Sequence, residues 1–230
     1  MPFGVDEAGK GPVFGSMFAA AVSLENPDWL PEGIADSKQL TPTRREELAA
    51  TIRADERIRV GVAEITPERI DDPETDMNSL SVAAHAEAIN DAFAGLEEGG
   101  ILDDESTISG LCDACDTDAD RFARRVHDAC EQTLETDHSL EIDARHGADD
   151  ESPIVGAASI IAKVKRDAHV AAIAEEYGEI GSGYPSDPNT REFLETYVDD
   201  HGSLPPFARE SWSTCEDVLA AAQQTGLGQF

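Results

Sequence analysis

Gly4-Val5-Asp6-Glu7-Ala8-Gly9-Lys10-Gly11-Pro12 begins as an apolar strand, ends on two adjacent carboxylates and then breaks at a pair of glycines. Neighbouring carboxylates at a strand end repel each other. A divalent cation relieves that repulsion, because Mg2+ and Mn2+ bind through carboxylate oxygen and water. Gly9 and Gly11 let the backbone approach a ligand without side-chain hindrance, and Lys10 sets a positive charge there. The same residues also fit a solvated strand-to-turn corner, where Asp, Glu and Gly are common. Only the rest of the chain can separate a cation site from a simple turn.

Working outward, residues 3–6 form a first strand and the largely apolar run 13–24 a second, covered on both faces. Thr41 and Pro42 open a helix that runs to about Asp55. Residues 58–65 alternate as a third strand, and Asn78 or Ser79 opens a helix that Gly99 and Gly100 end. A fourth strand, 108–113, is weakened by Gly110. Residues 117–134 are helical, 140–144 form a fifth strand, and Ser152-Pro153 starts a long apolar helix to about Tyr177. Strands first in near succession and then alternating with helices predict an α/β fold, a mixed five-stranded sheet flanked by helices. After Gly181-Ser182-Gly183, prolines 185, 188, 205 and 206 punctuate short helices, which predicts a small C-terminal helical lobe packed in part by Phe207 and Trp212. The expected division is a catalytic domain over 1–178, the helical lobe over 179–221 and a flexible tail over 222–230.

The balance of 17 Lys+Arg against 48 Asp+Glu gives a formal charge of −31, with 40% hydrophobic residues. That excludes a basic DNA-coating protein, and the hydrophobic content is too high for a disordered chain. No run reaches the ~18 apolar residues of a membrane span. Met1 is followed by neither a basic nor an apolar leader segment, so the expected location is cytoplasmic. Acid this abundant strains a compact state at low salt, whereas at 1 M salt the screening length falls to about 3 Å. The expectation is a protein of a salt-accumulating cell. Only four lysines remain, Lys10, Lys38, Lys163 and Lys165, and an acidic protein that binds phosphate must concentrate its few cations. Cys112, Cys115, Cys130 and Cys215 lack the spacing of a zinc set and read as reduced, buried small hydrophobes.

Asp113 ends the fourth predicted strand, with Asp116, Asp118 and Asp120 close behind it. Asp149 and Asp150 come after the fifth. Carboxylates at the ends of different strands of one sheet can converge on one edge. Four of them can hold two divalent ions roughly 4 Å apart, the arrangement that activates water for phosphodiester hydrolysis. Against this, each is also one of 48 acids on a coated surface, and only position at strand ends singles these out.

Residues 4–17, GVDEAGKGPVFGSM, resemble the N-terminal signature of ribonuclease HII, in particular its archaeal branch. Four more segments agree in order: Ala35-Asp36-Ser37-Lys38, Cys112-Asp113-Ala114-Cys115, His146 to Asp149 with 157–163 (AASIIAK), and Gly181 to Asp187. The resemblance covers residue 4 to about 215. It implies a ribonuclease H-like fold and a two-metal mechanism with Mn2+ or Mg2+, in which Asp6, Glu7, Asp113 and Asp149 are the catalytic, metal-binding carboxylates. Gly9, Lys10 and Gly11 match the loop whose backbone reads a ribose 2′-hydroxyl, and Tyr184 matches the tyrosine that packs on the deoxyribose 3′ of it. Lys38, Lys163 and Arg166 fall in segments that approach phosphates. The implied enzyme hydrolyses the RNA strand of RNA/DNA hybrids. It also cuts 5′ of ribonucleotides embedded in duplex DNA, leaving 5′-phosphate and 3′-hydroxyl ends, in primer removal and ribonucleotide excision repair.

One departure is Lys10, where Arg is commoner in the family: Lys keeps the charge but loses the bidentate fork. The C-terminal Gln224, Leu227 and Phe230 resemble the peptide that docks on the sliding clamp, with two apolar anchors beside a hydrogen-bonding Gln. The remaining expectations are a monomer, no membrane, and packed or solvated histidines, with His146 the one candidate proton-transfer group. Two alternatives stay open: another polynucleotidyl hydrolase of the same fold, such as a junction nuclease, or a catalytically silent hybrid-binding or clamp-adapter protein.

Overall fold

The computed structural model describes residues 1–34, 40–95, 107–134 and 138–227, with 225–227 described by backbone alone. Along the chain run β1 (Pro2–Ala8), β2 (Met17–Ser23), a 3-10 turn (Pro27–Trp29), α1 (Pro42–Ala54), β3 (Arg59–Ile65), α2 (Pro67–Ile70) and α3 (Met77–Phe93). Next come β4 (Ile108–Asp113), α4 (Ala119–Thr133), β5 (Leu140–Arg145), α5 (Ala148–Glu151), α6 (Pro153–Tyr177), α7 (Pro188–His201) and α8 (Ser213–Leu227). The five strands form one sheet in the order β3-β2-β1-β4-β5. β1 pairs antiparallel with β2 and parallel with β4, and β4 pairs parallel with β5, so the sheet is mixed.

The chain divides into two compact units. One holds Met1–Ala8, Phe18–Glu64 and Met77–Lys165; the other holds Gly9–Met17, Ile65–Asp76 and the chain from Arg166 onward. Successive strand residues point to opposite faces, and in the first unit β1 shows why that matters. Phe3 packs edge-on against Phe93 of α3, with ring centroids 5.5 Å apart. Gly4 faces the other way and backs onto α6, where a Cβ would come within 2.5 Å of the Val155 nitrogen. On that second face Ala20 and Val22 of β2 pack with Leu48 and Ile52 of α1 and with Ile160 and Ile161 of α6. Each such Leu or Ile contributes about 1.5–3 kcal/mol when fully buried, which seats α6 firmly on the sheet. α3 and α4 pack on each other, α3 on β1 and α4 on β5. The N-terminus of α1 is capped as its sequence predicts: Thr41 Oγ1 accepts from the Arg44 amide at 3.3 Å, and Pro42 occupies the first turn.

In the second unit, Val13, Phe14, Leu194, Val198, Ala208 and Cys215 form a separate core. Phe14 meets Phe207 edge-on at 5.5 Å, and Tyr177 does the same at 4.8 Å. Phe207 and Trp212 pack against this core, as expected. The largest differences from the sequence reading are at three element boundaries. The second strand starts at Met17, not at 13, because the chain kinks at Gly15 (φ 76°) and residues 13–15 bond elsewhere. The Val13 amide donates to Gly183 O at 2.7 Å, the Gly15 amide donates to Phe207 O at 2.8 Å, and Phe14 bridges Ala208. α3 ends at Phe93, ahead of Gly95 (φ 74°); Gly99 and Gly100 lie outside the described residues. α8 continues through Leu227, where the sequence reading began a tail at 222.

Candidate active site

Alternation along β1 separates the two adjacent acids. Asp6 follows Gly4 toward α6, where Ser159 donates a hydrogen bond to its carboxylate. Glu7 follows Phe3 and Val5 toward α3, where its Oε2 lies 2.9 Å from His85 Nε2. The Asp-Glu pair therefore straddles the sheet. Asp6 Oδ1 also accepts the Glu7 amide at 2.7 Å, which fixes its orientation.

The register then supplies the third acid. Val5 and Cys112 form the last pair between β1 and β4, so Asp6 and Asp113, each one residue further on, lie at the same end of these two neighbouring strands. Asp113 in turn pairs with Arg145 of β5. The chain leaving β5 turns through His146 and Gly147 into the short α5, and there the Ala148 amide donates to Asp113 Oδ1 at 2.8 Å. The next residue is Asp149, 4% exposed. Its Oδ2 lies 3.9 Å from Lys163 Nζ, and the same ammonium donates to Ser159 Oγ at 2.5 Å. A relay thus runs from Asp149 through Lys163 and Ser159 to Asp6.

The electrostatics follow from this proximity. Burial, then the charge of Glu7, and further the charge of Asp113 push Asp6 up to about 8, against the pull of Ser159 and Lys163. Asp113 is also raised, first by burial and then by the charges of Asp149 and Glu7, while the amides of Ala148 and Gly147 oppose the rise. The four carboxylates singled out in the sequence are brought together, and the neighbouring acids are not. Asp118 caps α4 by accepting the Arg121 amide at 2.9 Å. Asp116 is buried and bound by the Arg121 guanidinium at 3.1 and 2.5 Å. His146 Nε2 donates to Asp116 O at 2.7 Å.

The second unit gathers another set. Gly9 has φ 94°, a conformation in which side chains are strained, and a Cβ there would lie 3.3 Å from Arg166 Cγ. A Cβ on Gly11 would lie 3.6 Å from the Tyr184 ring. Arg166 places its guanidinium 5.3 Å from the centroid of that ring and donates to Ser182 O. Tyr184 is 42% exposed, the only exposed large hydrophobic side chain among the described residues. Arg166 is thus engaged by Tyr184, Asp167 and the 182 carbonyl. Lys10 is half-buried, and Gln224 is exposed on α8. Lys38, Phe230 and the Leu227 side chain lie outside the described residues.

Residues 3–215 match the family model described as Ribonuclease HII. The chain belongs to the ribonuclease HII family. The ribonuclease HII of Haloarcula marismortui is 57% identical over the full length of both chains. Among solved structures, the ribonuclease H2 of Pyrococcus horikoshii OT3 is 35% identical with a TM-score of 0.82, over 97% of this chain and 99% of that one. The PCNA:RNase HII complex from Archaeoglobus fulgidus gives 34% identity and a TM-score of 0.77, over 95% and 96%. Ribonuclease HII proteins are nucleases, and the ribonuclease H-like mixed sheet expected from the motifs is the sheet observed.

Three side chains that bond these groups were not singled out from the sequence. His85 is fully buried in α3, edge-on to Phe122 at 5.0 Å, and bonds Glu7. Ser159 is fully buried on α6 and bonds Asp6. Arg209 is fully buried in the second unit and bonds the glycine loop. An imidazole or guanidinium inside an apolar segment is a signal in its own right, since a buried polar group needs a partner. All four cysteines are free and three are buried. Cys115 is half-buried, and its Sγ and one atom each from Glu7 and His85 lie within 4.8 Å of one another.

Proposed function

We propose that this protein is a divalent-metal-dependent endoribonuclease. It hydrolyses the RNA strand of RNA/DNA hybrids and cuts on the 5′ side of ribonucleotides embedded in duplex DNA, leaving 5′-phosphate and 3′-hydroxyl ends. The observation that carries this reading is the cluster of Asp6, Glu7, Asp113 and Asp149, in which Asp6 and Asp149 are buried and Glu7 and Asp113 half-buried. Burial and the neighbouring carboxylates push Asp6 up to about 8, the direction expected where like charges crowd together without a cation to neutralise them. All four donors are hard oxygens, the set that suits Mg2+ and Mn2+. Asp6, Glu7, Asp113 and Asp149 would hold two such ions, which would supply activation of the attacking water and charge stabilisation at the leaving oxygen.

The chain's own groups do the positioning. Asp6 and Glu7 approach from opposite faces of β1, held by Ser159 and His85. Asp113 is held by the Ala148 amide. Lys163 tethers Asp149 and Ser159, which makes it a group that orders the acids. In the second unit, the Gly9-Lys10-Gly11 backbone reads the ribose hydroxyl. The exposed Tyr184 ring packs on the adjoining deoxyribose, stiffened by Arg166 behind it, and Lys10 and Lys38 meet phosphates. Primer removal and ribonucleotide excision are the roles this chemistry serves, in the cytoplasm. Docking on the sliding clamp through Gln224, Leu227 and Phe230 is supported by the PCNA:RNase HII complex among the structural relatives.

The test is cleavage of a DNA duplex carrying one ribonucleotide, with the product ends mapped. A single cut 5′ of the ribonucleotide, ending in 5′-phosphate and lost when metal is omitted, is expected. Equal cleavage of the all-DNA duplex would indicate a junction-type nuclease, and tight binding without any cleavage would indicate an adapter.

A further inference from the structure

Arg209 has no exposed surface, although a guanidinium is among the costliest groups to remove from water unless its donors are paired. Its partners are all backbone carbonyls of one loop. Nη2 donates to Gly9 O at 2.6 Å, Nη1 to Lys10 O at 3.0 Å and Nε to Gly15 O at 2.9 Å. Trp212, whose ring lies 5.1 Å from the guanidinium carbon, extends the series with a longer bond from Nε1 to Gly11 O at 3.4 Å. Arg209 is itself anchored, since its amide donates to Val13 O at 2.8 Å. Beside it Asp71 accepts the amides of Glu210 at 2.8 Å and Ser211 at 3.0 Å.

Three consecutive carbonyls, those of Gly9, Lys10 and Gly11, therefore turn toward the Arg209–Trp212 pair. In a trans peptide the C=O and N–H point in opposite directions. The amides joining 9 to 10 and 10 to 11 must then direct the Lys10 and Gly11 N–H groups away from Arg209. The third peptide contributes no donor, because Pro12 has no N–H. Among the described residues the exposed Gly11 N–H takes no partner. Successive amides aimed to one side are the arrangement that receives an oxygen acceptor.

We propose that Arg209 is the positioning residue of the glycine loop, and that by fixing which way the Lys10 and Gly11 amides face it sets the preference for a ribonucleotide over a deoxyribonucleotide. This rests on the ribonucleotide-reading role proposed for the loop. A buried guanidinium is also shielded from salt. It holds the readout at high ionic strength, where cation contacts to phosphate weaken.

The test compares wild type with Arg209→Lys, which keeps the charge but not the three-way fork. Two quantities are measured: KM for the duplex with one ribonucleotide, and the inhibition constant of the all-DNA duplex as competitor. The expected result is a KM raised about tenfold, with the competitor's inhibition constant and the Mn2+ concentration for half-maximal rate unchanged. The ratio of inhibition constant to KM thus falls about tenfold. A general loosening of the fold would move both constants together. If Arg209→Lys does not fold, Trp212→Phe gives the second reading: the ring stays, the Nε1 donor goes, and the ratio should fall by a few-fold. An unchanged ratio in a folded variant overturns the proposal. Failure of the wild type to cut the ribonucleotide duplex would instead overturn the proposed endoribonuclease function, so the two failures are told apart.

Discussion

At the scale of single residues, the site depends on a pair of neighbours sent to opposite faces of one strand. Asp6 is buried beside Ser159 and the half-buried Lys163, and Glu7 lies against a buried histidine. The acids were legible because Asp6, Glu7 and Asp113 sit at or near strand ends and Asp149 follows one closely, where abundance alone does not place them. Their supports were not: His85 occupies an apolar face of α3 and Arg209 a proline-rich stretch, and sequence spacing does not show which carbonyl or carboxylate they meet. Asp6 also gives a pH dependence. Its folded value, about 8, stands above its ordinary 3.8, so its contribution to stability is fully present below about pH 4 and lost as pH rises through about 8. With divalent ions chelated, the wild type should lose more stability between about pH 5 and about pH 8 than Asp6→Asn, read from denaturant midpoints. Equal losses in the two proteins would show that Asp6 is not protonated in the folded state.

At the scale of elements, most strands and helices could be read from periodicity and caps, and the misreadings have local causes. Residues 13–24 form one apolar run, yet 13–15 serve the second unit and only Met17–Ser23 joins the sheet, because Gly15 turns the chain between them. Gly110 looked like a weak point in β4. In the folded protein the Phe3 ring lies over it, and a Cβ would come within 2.1 Å of that ring. β1 and β4 are the strands that set the Asp6–Asp113 register, so this packing matters to the site. Gly110→Ala should lower stability by about 1–3 kcal/mol, the usual cost of overpacking, and Phe3→Leu in the same chain should recover part of it. A Gly110→Ala protein as stable as wild type would mean that the ring moves aside freely.

At the scale of the whole molecule, a charge of −31 surrounds a site that must meet a polyanion. Screening at molar salt removes most of the self-repulsion. Asp6 and Asp149 in the cluster, and the Arg209 that binds the glycine loop, are buried, and interactions of buried groups are screened less by salt than those at the surface. Thermal midpoints should rise from about 0.1 M to about 3 M KCl, and a maximum near 0.1 M would contradict the surface-charge argument. Division into units was only partly legible, since Gly9–Met17 and Ile65–Asp76 belong with the C-terminal helices despite their distance in sequence. The hydrolysis proposed for this molecule rests in the end on whether the clustered carboxylates act through a divalent ion. The most direct measurement is the Mn2+ dependence of single-ribonucleotide cleavage in wild type and Asp113→Asn, whose amide oxygen can still accept from Ala148. Wild type should be inactive in chelator and recover fully with Mn2+, while Asp113→Asn should stay more than about a hundredfold slower even at saturating Mn2+. Cleavage that survives chelation, or an Asp113→Asn enzyme as fast as wild type, would contradict the account.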